Sequence, residues 1–446
     1  MAGFPFLITY SSPGPAGARR VARSCRTTPS GRRDIDASAQ SVRPVRPEGV
    51  PVTIDQEIRE YPFRESRGIG IDPTYELLRR TEPLARVQLP YGEVSWLVTR
   101  YEDVKTVLTD PRFSRAAAQG KDQPRTRAEM TYEGIIGLDP PDHTRLRRLA
   151  GKALTARRVN AIRADAQRIA NEYVDEMIAK GSPGDLVELF ALPYPVTVIC
   201  ELLGVPFEDR AQFRIWTEGL TSTSEQLMVY AEQLFDYMGK LVAQRRAEPT
   251  DDLLGALVKA RDEGDRLTEQ ELLSIAGVGL LLTGVETVST HIPNFVYALL
   301  THPELMAQLR ADRSLVPAAV EELLRMIPLN PAAMFPRYAV EDVTLSGITV
   351  RAGQPVLVSL PGANRDPEVF ENPETFDFTR EQNPHVAFGH GPHHCLGAQL
   401  ARMELQVALH TVLDRFPDLR LADGDEGVSW KSGLLVRGPS RLLVGW

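Results

Sequence analysis

The run from Ile275 to Val285 is apolar nearly all the way round a helix, and the next residue, Glu286, is a carboxylic acid. A helix with no polar face has to lie inside a domain. Its start signal is upstream, where Thr268 and Glu271 have the spacing of a capping box. From there the pattern predicts a helix to about Leu300, ahead of Thr301-His302-Pro303. At ~1.5 Å per residue that is on the order of 50 Å, enough to cross a whole domain. An acid in the middle of such a helix is unfavourable unless it has a partner or a task.

Around this segment the chain reads as mainly α with small β-sheets, an α+β protein. Trp96 to Arg100 reads as a strand and Tyr101 to Leu108 as a helix stopped near Asp110-Pro111. Further helices are expected over Asp142–Leu154, Val159–Lys180 and Leu315–Met326, the last with Pro317 in its first turn. Val343 to Val358 alternates in strand fashion around Gly347 and Gly353. Residues 1–45 read as a disordered N-terminal extension and 46–446 as a single domain.

Charge and cysteine content narrow the function classes. The first 33 residues carry six arginines and no acid, and setting them aside leaves 45 basic against 59 acidic residues, a balance of −14. No basic, aromatic-laced stripe of the kind nucleic acid needs is present. Three cysteines, Cys25, Cys200 and Cys395, do not make a disulfide framework and fit a reducing, cytoplasmic setting. No apolar run reaches the roughly 18 residues of a membrane span.

The irregular stretch Pro361 to His394 runs straight into Cys395, and a helical pattern then continues to about Phe416. A loop that long is usually functional. A cysteine just before a helix meets backbone N–H groups and the helix dipole, both of which favour thiolate. Gly391 permits a tight turn, Gly397 leaves room for a flat ligand against the helix, and Phe388 can cover the sulfur. Two other readings stand beside this one: a buried structural cysteine, and a metal site drawing on His390, His393, His394 and Cys395.

The spacing Phe388-x-x-Gly391-x-x-x-Cys395-x-Gly397 resembles the haem-binding signature of the cytochrome P450 superfamily, and Ala398, Leu400, Ala401, Arg402 and Glu404 resemble its soluble bacterial members. Glu322-Leu-Leu-Arg325 resembles the family's Glu-x-x-Arg pair, which by spacing alone is equally a surface ion pair. Thr283-Gly284-Val285-Glu286-Thr287 resembles the oxygen-activation motif, with Thr283 where the family usually has Ala. By itself that segment is also compatible with a helix surfacing at Glu286. His143 and Arg147, four apart, resemble a propionate clamp; Arg337 and His393 occupy positions of the same task.

The resemblance covers about Val50 to Trp446. It implies the cytochrome P450 fold, with haem b (iron protoporphyrin IX) between the long central helix and the cysteine-loop helix. Cys395 is then the metal ligand. Gly284 makes room beside the iron, Glu286 and Thr287 deliver protons, and Glu322 and Arg325 brace the cysteine loop with a third partner between Pro373 and Arg380. There Thr375 stands where many relatives carry Arg, and Arg380 is the substitute. The implied activity is monooxygenation of a small organic molecule, with hydroxylation, epoxidation or desaturation as outcomes and secondary-metabolite tailoring as the setting. Electrons are expected from NAD(P)H through a ferredoxin and its reductase. Oxidative coupling, rearrangement and non-catalytic haem binding are the alternatives. Pocket walls are expected at Ala116–Gly137, Thr217–Leu227, the apolar face before Thr283, Asn330–Phe335 and Ser432–Val436. Back-bonding by Thr283 to the carbonyl four residues earlier is expected to bend the helix.

Overall fold

Alternate residues of the strands part to opposite sides of one sheet. The computed structural model describes residues 57–63, 68–127, 134–219, 224–262, 268–273, 275, 279–330, 332–431 and 436–446. Six strands lie in the order Ile58–Glu60, Leu84–Gln88, Ser95–Val98, Pro355–Val358, Arg337–Ala339 and Phe113–Ser114. Leu84, Trp96, Val98, Val356 and Val358 enter one apolar cluster with the helix Tyr101–Thr109. Ala85, Val87, Leu97 and Leu357 enter another with Tyr61, Tyr75 and Leu78. A period of two on a sheet buried on both faces accounts for the split. The alternation read over Val343–Val358 resolves into a hairpin, Val343–Leu345 with Ile348–Val350, followed by the strand Pro355–Val358. Gly347 and Gly353 both take left-handed φ at its turns.

The largest core is helical. Helices Arg163–Lys180, Pro193–Leu203, Leu280–Thr301, Val316–Met326 and Ala398–Arg415 share one apolar cluster. The central helix Leu280–Thr301 rests against both Pro193–Leu203 and Ala398–Arg415. Its fully buried part lies beyond the apolar run: from Val288 to Leu299 every residue is buried, whereas in the run itself Ile275 and Val285 are buried, Gly284 is half-buried and Thr283 is exposed.

Some boundaries differ from the sequence expectation. The capping box is formed, with Glu271 N–H on Thr268 Oγ1 at 3.1 Å and Thr268 N–H on Glu271 Oε2 at 2.8 Å. The helix it starts covers Glu269–Leu273, and the central helix begins at Leu280. Residues 275 and 279 take the wider π turn. Thr283 Oγ1 donates to the Gly279 carbonyl at this point, and such back-bonding loosens a helix. Likewise Val159–Lys180 divides into Ala156–Ala161 and Arg163–Lys180. The leader, 1–45, lies outside the described residues, as do parts of the expected pocket walls at 128–133, 220–223, 331 and 432–435. Among the described residues no helix is long and apolar enough to cross a membrane.

Candidate active site

The loop that carries Cys395 is bolted down before the cysteine is reached. Asn364 Oδ1 accepts the Val386 N–H at 2.7 Å, and Tyr101 Oη donates to the Pro384 carbonyl at 2.6 Å. Gly389 and Gly391 are both left-handed, and the Cys395 N–H closes the turn on the Phe388 carbonyl at 2.8 Å. At Gly391 a side chain has no space: a Cβ would lie 2.7 Å from the Leu108 carbonyl oxygen and 2.8 Å from Thr109 Cγ2. The turn is moulded onto the end of helix Tyr101–Thr109. At Gly397 a Cβ would meet nothing within 4 Å, which leaves an open cradle at the start of helix Ala398–Arg415.

Cys395 is solvent-accessible, yet burial is the largest influence on its thiol and pushes the pKa up. The sulfur therefore lies in a recess. The Gly397 N–H bonds to it, and Arg147 and Arg402 add positive charge, all three favouring thiolate. Burial outweighs them: the backbone N–H at the helix start favours thiolate as expected, and burial sets the net direction. A metal cation held by this sulfur would supply the balance, because a coordinating thiol loses its proton outright. Among the described residues no three His, Cys, Asp or Glu side chains converge on a metal position.

The cations implied as a propionate clamp do gather. His143 is 2 % exposed, and its ring lies 4.0 Å from that of His393. Arg147 reaches across to the His394 carbonyl. Arg337 is buried and has no ion-pair partner among the described residues. Burial, then neighbouring Arg115, bring its guanidinium down to about 10. Burial, and after it His143, Arg337 and Arg115, hold His393 at about 3. His143 is lowered by burial and by Arg147. Burial thus favours the neutral imidazole in both histidines. His143 Nδ1 is buried without a hydrogen-bond partner.

Arg115 is the member that sequence reasoning missed. It is 1 % exposed, stacks over Phe335 at 5.6 Å, and donates through Nε to the Ile136 carbonyl at 3.1 Å. Asp139 is the nearby acid, and its oxygens already take the backbone N–H groups of Arg115 and Ala116 and the Ser114 hydroxyl. Buried Arg337, without an ion pair among the described residues, and the orphaned ring nitrogen of His143 fit a ligand bearing carboxylates. Together with a recessed cysteine and an open glycine cradle, these residues fit a haem.

Behind the loop, Glu322 and Arg325 meet at 2.7 Å with no exposure of either side chain. Arg325 also donates to the Asn364, Pro373 and Thr375 carbonyls at 2.9, 2.8 and 3.2 Å. Glu322 accepts the Asp377 N–H and Asn383 Nδ2, and Arg380 Nε lies 3.4 Å from it. Thr375 thus contributes its carbonyl, and Arg380 supplies the further guanidinium. A second pair went unread: Glu321 takes both Nε and Nη2 of Arg402 at 2.8 Å and His385 at 3.0 Å. Arg402 in turn lies 4.5 Å over the Phe388 ring.

On the central helix, Gly284 faces Ile199, whose Cδ1 would be 3.5 Å from an added Cβ. Thr287 Oγ1 donates to the Thr283 carbonyl at 2.7 Å. The Glu286 carboxyl is raised by burial, with Lys431 and then Arg127 opposing. Neither cation was legible from motif spacing.

The cytochrome P450 family model matches residues 210–441. Mycinamicin IV hydroxylase/epoxidase of Micromonospora griseorubida is 52% identical over 394 residues, 87% of this chain and 99% of that one. Nocardicin C N-oxygenase of Nocardia uniformis subsp. tsuyamanensis is 48% identical over 396 residues, again 87% and 99%. The crystal structure of the mixed-function P450 MycG superposes with a TM-score of 0.85 at 52% identity, covering 87% of this chain and all of that one. With the motif residues, the fold and these relatives in agreement, this chain belongs to the cytochrome P450 family and is a monooxygenase.

Proposed function

We propose that this chain is a haem-thiolate monooxygenase, spanning residues 46–446, that oxidises a small secondary metabolite in the cytoplasm. Cys395 is the residue that would hold the haem iron. The observation that carries the assignment of residues is the cluster of buried Arg115, Arg337 and His143 with half-buried His393, beside a recessed cysteine held by the Gly397 N–H. A bound haem supplies dioxygen activation, and an anionic sulfur ligand favours O–O cleavage.

The protein's own groups do the rest. Arg337, Arg115 and Arg147 offer positive charge to the two propionates, and the neutral imidazoles of His143 and His393 offer N–H donors. Gly284 and Gly397 leave the space a flat macrocycle needs. Glu286, half-buried on the central helix, takes up a solvent proton and releases it past the Thr287 hydroxyl, one residue on, toward the reacting side of the pocket. Phe388, under Arg402, keeps water from the sulfur.

Electrons reach this site from NAD(P)H through a ferredoxin and its reductase, and Arg147 and Arg402 place positive charge on the cysteine side. The relatives named above act on mycinamicin IV and nocardicin C by their names, which favours a secondary metabolite as substrate here. Purified holoprotein is expected to give the thiolate-type carbonyl-difference spectrum, and Cys395→Ser to lose it. Retention of that spectrum by the serine variant removes Cys395 as ligand. Product formed under labelled dioxygen is expected to carry one labelled atom, and coupling without incorporation would replace the monooxygenase assignment.

A further inference from the structure

Glu286, Thr290, Asn294 and Tyr297 recur at helical spacing along one side of the central helix. The C-terminal segment answers them one by one. Lys431 Nζ donates to Thr290 Oγ1 at 2.9 Å, Asn294 Nδ2 donates to the Arg437 carbonyl at 2.9 Å, and Tyr297 Oη donates to Asp425 at 2.6 Å. The contact is close: a Cβ at Gly438 would stand 2.6 Å from Thr290 Cγ2. Lys431 is further fixed by its own N–H on the Gly438 carbonyl at 2.9 Å.

A lysine in this position is not a surface ion pair. It is half-buried, and no carboxylate lies within ion-pair distance of it among the described residues. Its ammonium is tethered to a hydroxyl one helical turn beyond Glu286. The two charges act on each other: burial lowers Lys431 while Glu286 raises it, and burial raises Glu286 while Lys431, then Arg127, lower it. Those two cations, one from the C-terminal segment and one from residue 127, are the charged groups that face Glu286 among the described residues. Lys431 is the larger influence.

We propose that Lys431, tethered to Thr290, is the positioning residue that keeps Glu286 a carboxylate between turnovers, ready to take up the next solvent proton. The inference rests on the reading of Glu286 as proton donor. The proton balance is simple: Glu286 gains one proton from solvent and releases one toward the reacting oxygen, while Lys431 keeps its charge throughout. The C-terminal segment thereby becomes part of the catalytic electrostatics as well as a packing element.

The test follows the carboxyl of Glu286 by difference infrared spectroscopy of the holoenzyme across pH, with Glu286→Gln to assign the band. Lys431→Met is expected to move the protonation midpoint to higher pH, because removing a cation favours the neutral acid. Lys431→Arg is expected to stay near wild type. Thr290→Val, which removes only the tether, is expected to shift the midpoint in the same direction by less, and it decides the matter if the methionine variant fails to fold. Diversion of reducing equivalents to peroxide at neutral pH is expected to rise about three- to tenfold in Lys431→Met, below the 10²–10⁴ that general acid–base catalysis commands. A wild-type midpoint in both Lys431→Met and Thr290→Val overturns the proposal. A shifted midpoint with unaltered coupling in Glu286→Gln keeps the counter-charge and overturns the proton-delivery reading on which it rests.

Discussion

Arg325 Nη2 lies 2.7 Å from Glu322 Oε1, and solvent reaches neither side chain. Two guanidiniums, two carbonyl-bearing loops and the Asn383 amide all depend on that one carboxylate. Glu322→Ala leaves Arg325 and Arg380 without their counter-charge in the interior, and breaking such a pair is worth on the order of 3–5 kcal/mol. The expected result is a large loss of folded, haem-binding protein, read from denaturant midpoints. An alanine variant as stable as wild type would show that the loop stands without its brace.

Arg337 is buried and forms no ion pair among the described residues, with Asp139 only a minor influence, so its charge is available to a carboxylate ligand. Arg337→Leu is expected to raise the rate of haem transfer to apomyoglobin by roughly tenfold or more, as a charge-assisted hydrogen bond is worth about 1.5–3 kcal/mol. A combined Arg115→Leu, Arg337→Leu variant is expected to lose haem faster still. Transfer at the wild-type rate in both would place the propionates elsewhere.

Thr287 donates its hydroxyl to the Thr283 carbonyl at 2.7 Å, so it has to turn on its Cβ to serve a reacting oxygen. Thr287→Ala is expected to divert about tenfold more reducing equivalents to peroxide while substrate binding is unchanged. Thr287→Ser retains the hydroxyl and is expected to stay coupled. Unchanged coupling in the alanine variant would mean that protons arrive by another route.

Glu321 gives a pH signature. Burial works to raise its carboxyl, but hydrogen bonds from His385 and Arg402 prevail and bring it to about 2 from the ordinary 4.5. A depressed folded-state value stabilises the fold fully above the unfolded value, and the contribution fades as pH falls from about 4.5 toward about 2. The contribution is at most about 3 kcal/mol. Glu321→Gln is therefore expected to lower the urea midpoint at about pH 6 and to flatten its fall toward about pH 3. Equal slopes in the two proteins would show that the pair contributes nothing to stability.

The elements with a strong local signal were legible. Thr268 and Glu271 form the capping box, Tyr101 to Thr109 is a helix, and the Cys395 loop enters a helix at Ala398. Glu322 and Arg325 meet as their spacing implies. Arg115, Asp139, Glu321 and Lys431 were not legible, because each works through a partner distant in sequence: Glu321 meets Arg402 across 81 positions, and Lys431 meets Thr290 across 141. Net signs were also hidden. Spacing shows which groups stand near Cys395 and His393, but burial decides the direction of both pKa shifts, and burial belongs to the packed state.

Gly391 presses its bare backbone against Leu108, 283 positions earlier in the chain. During synthesis the turn that presents the cysteine has no surface to form on until nearly the whole polypeptide has left the ribosome. Closing so long a loop comes late in folding. Haem uptake is then a post-synthetic event, and a chain interrupted anywhere before this turn emerges as colourless protein for the quality-control machinery to clear.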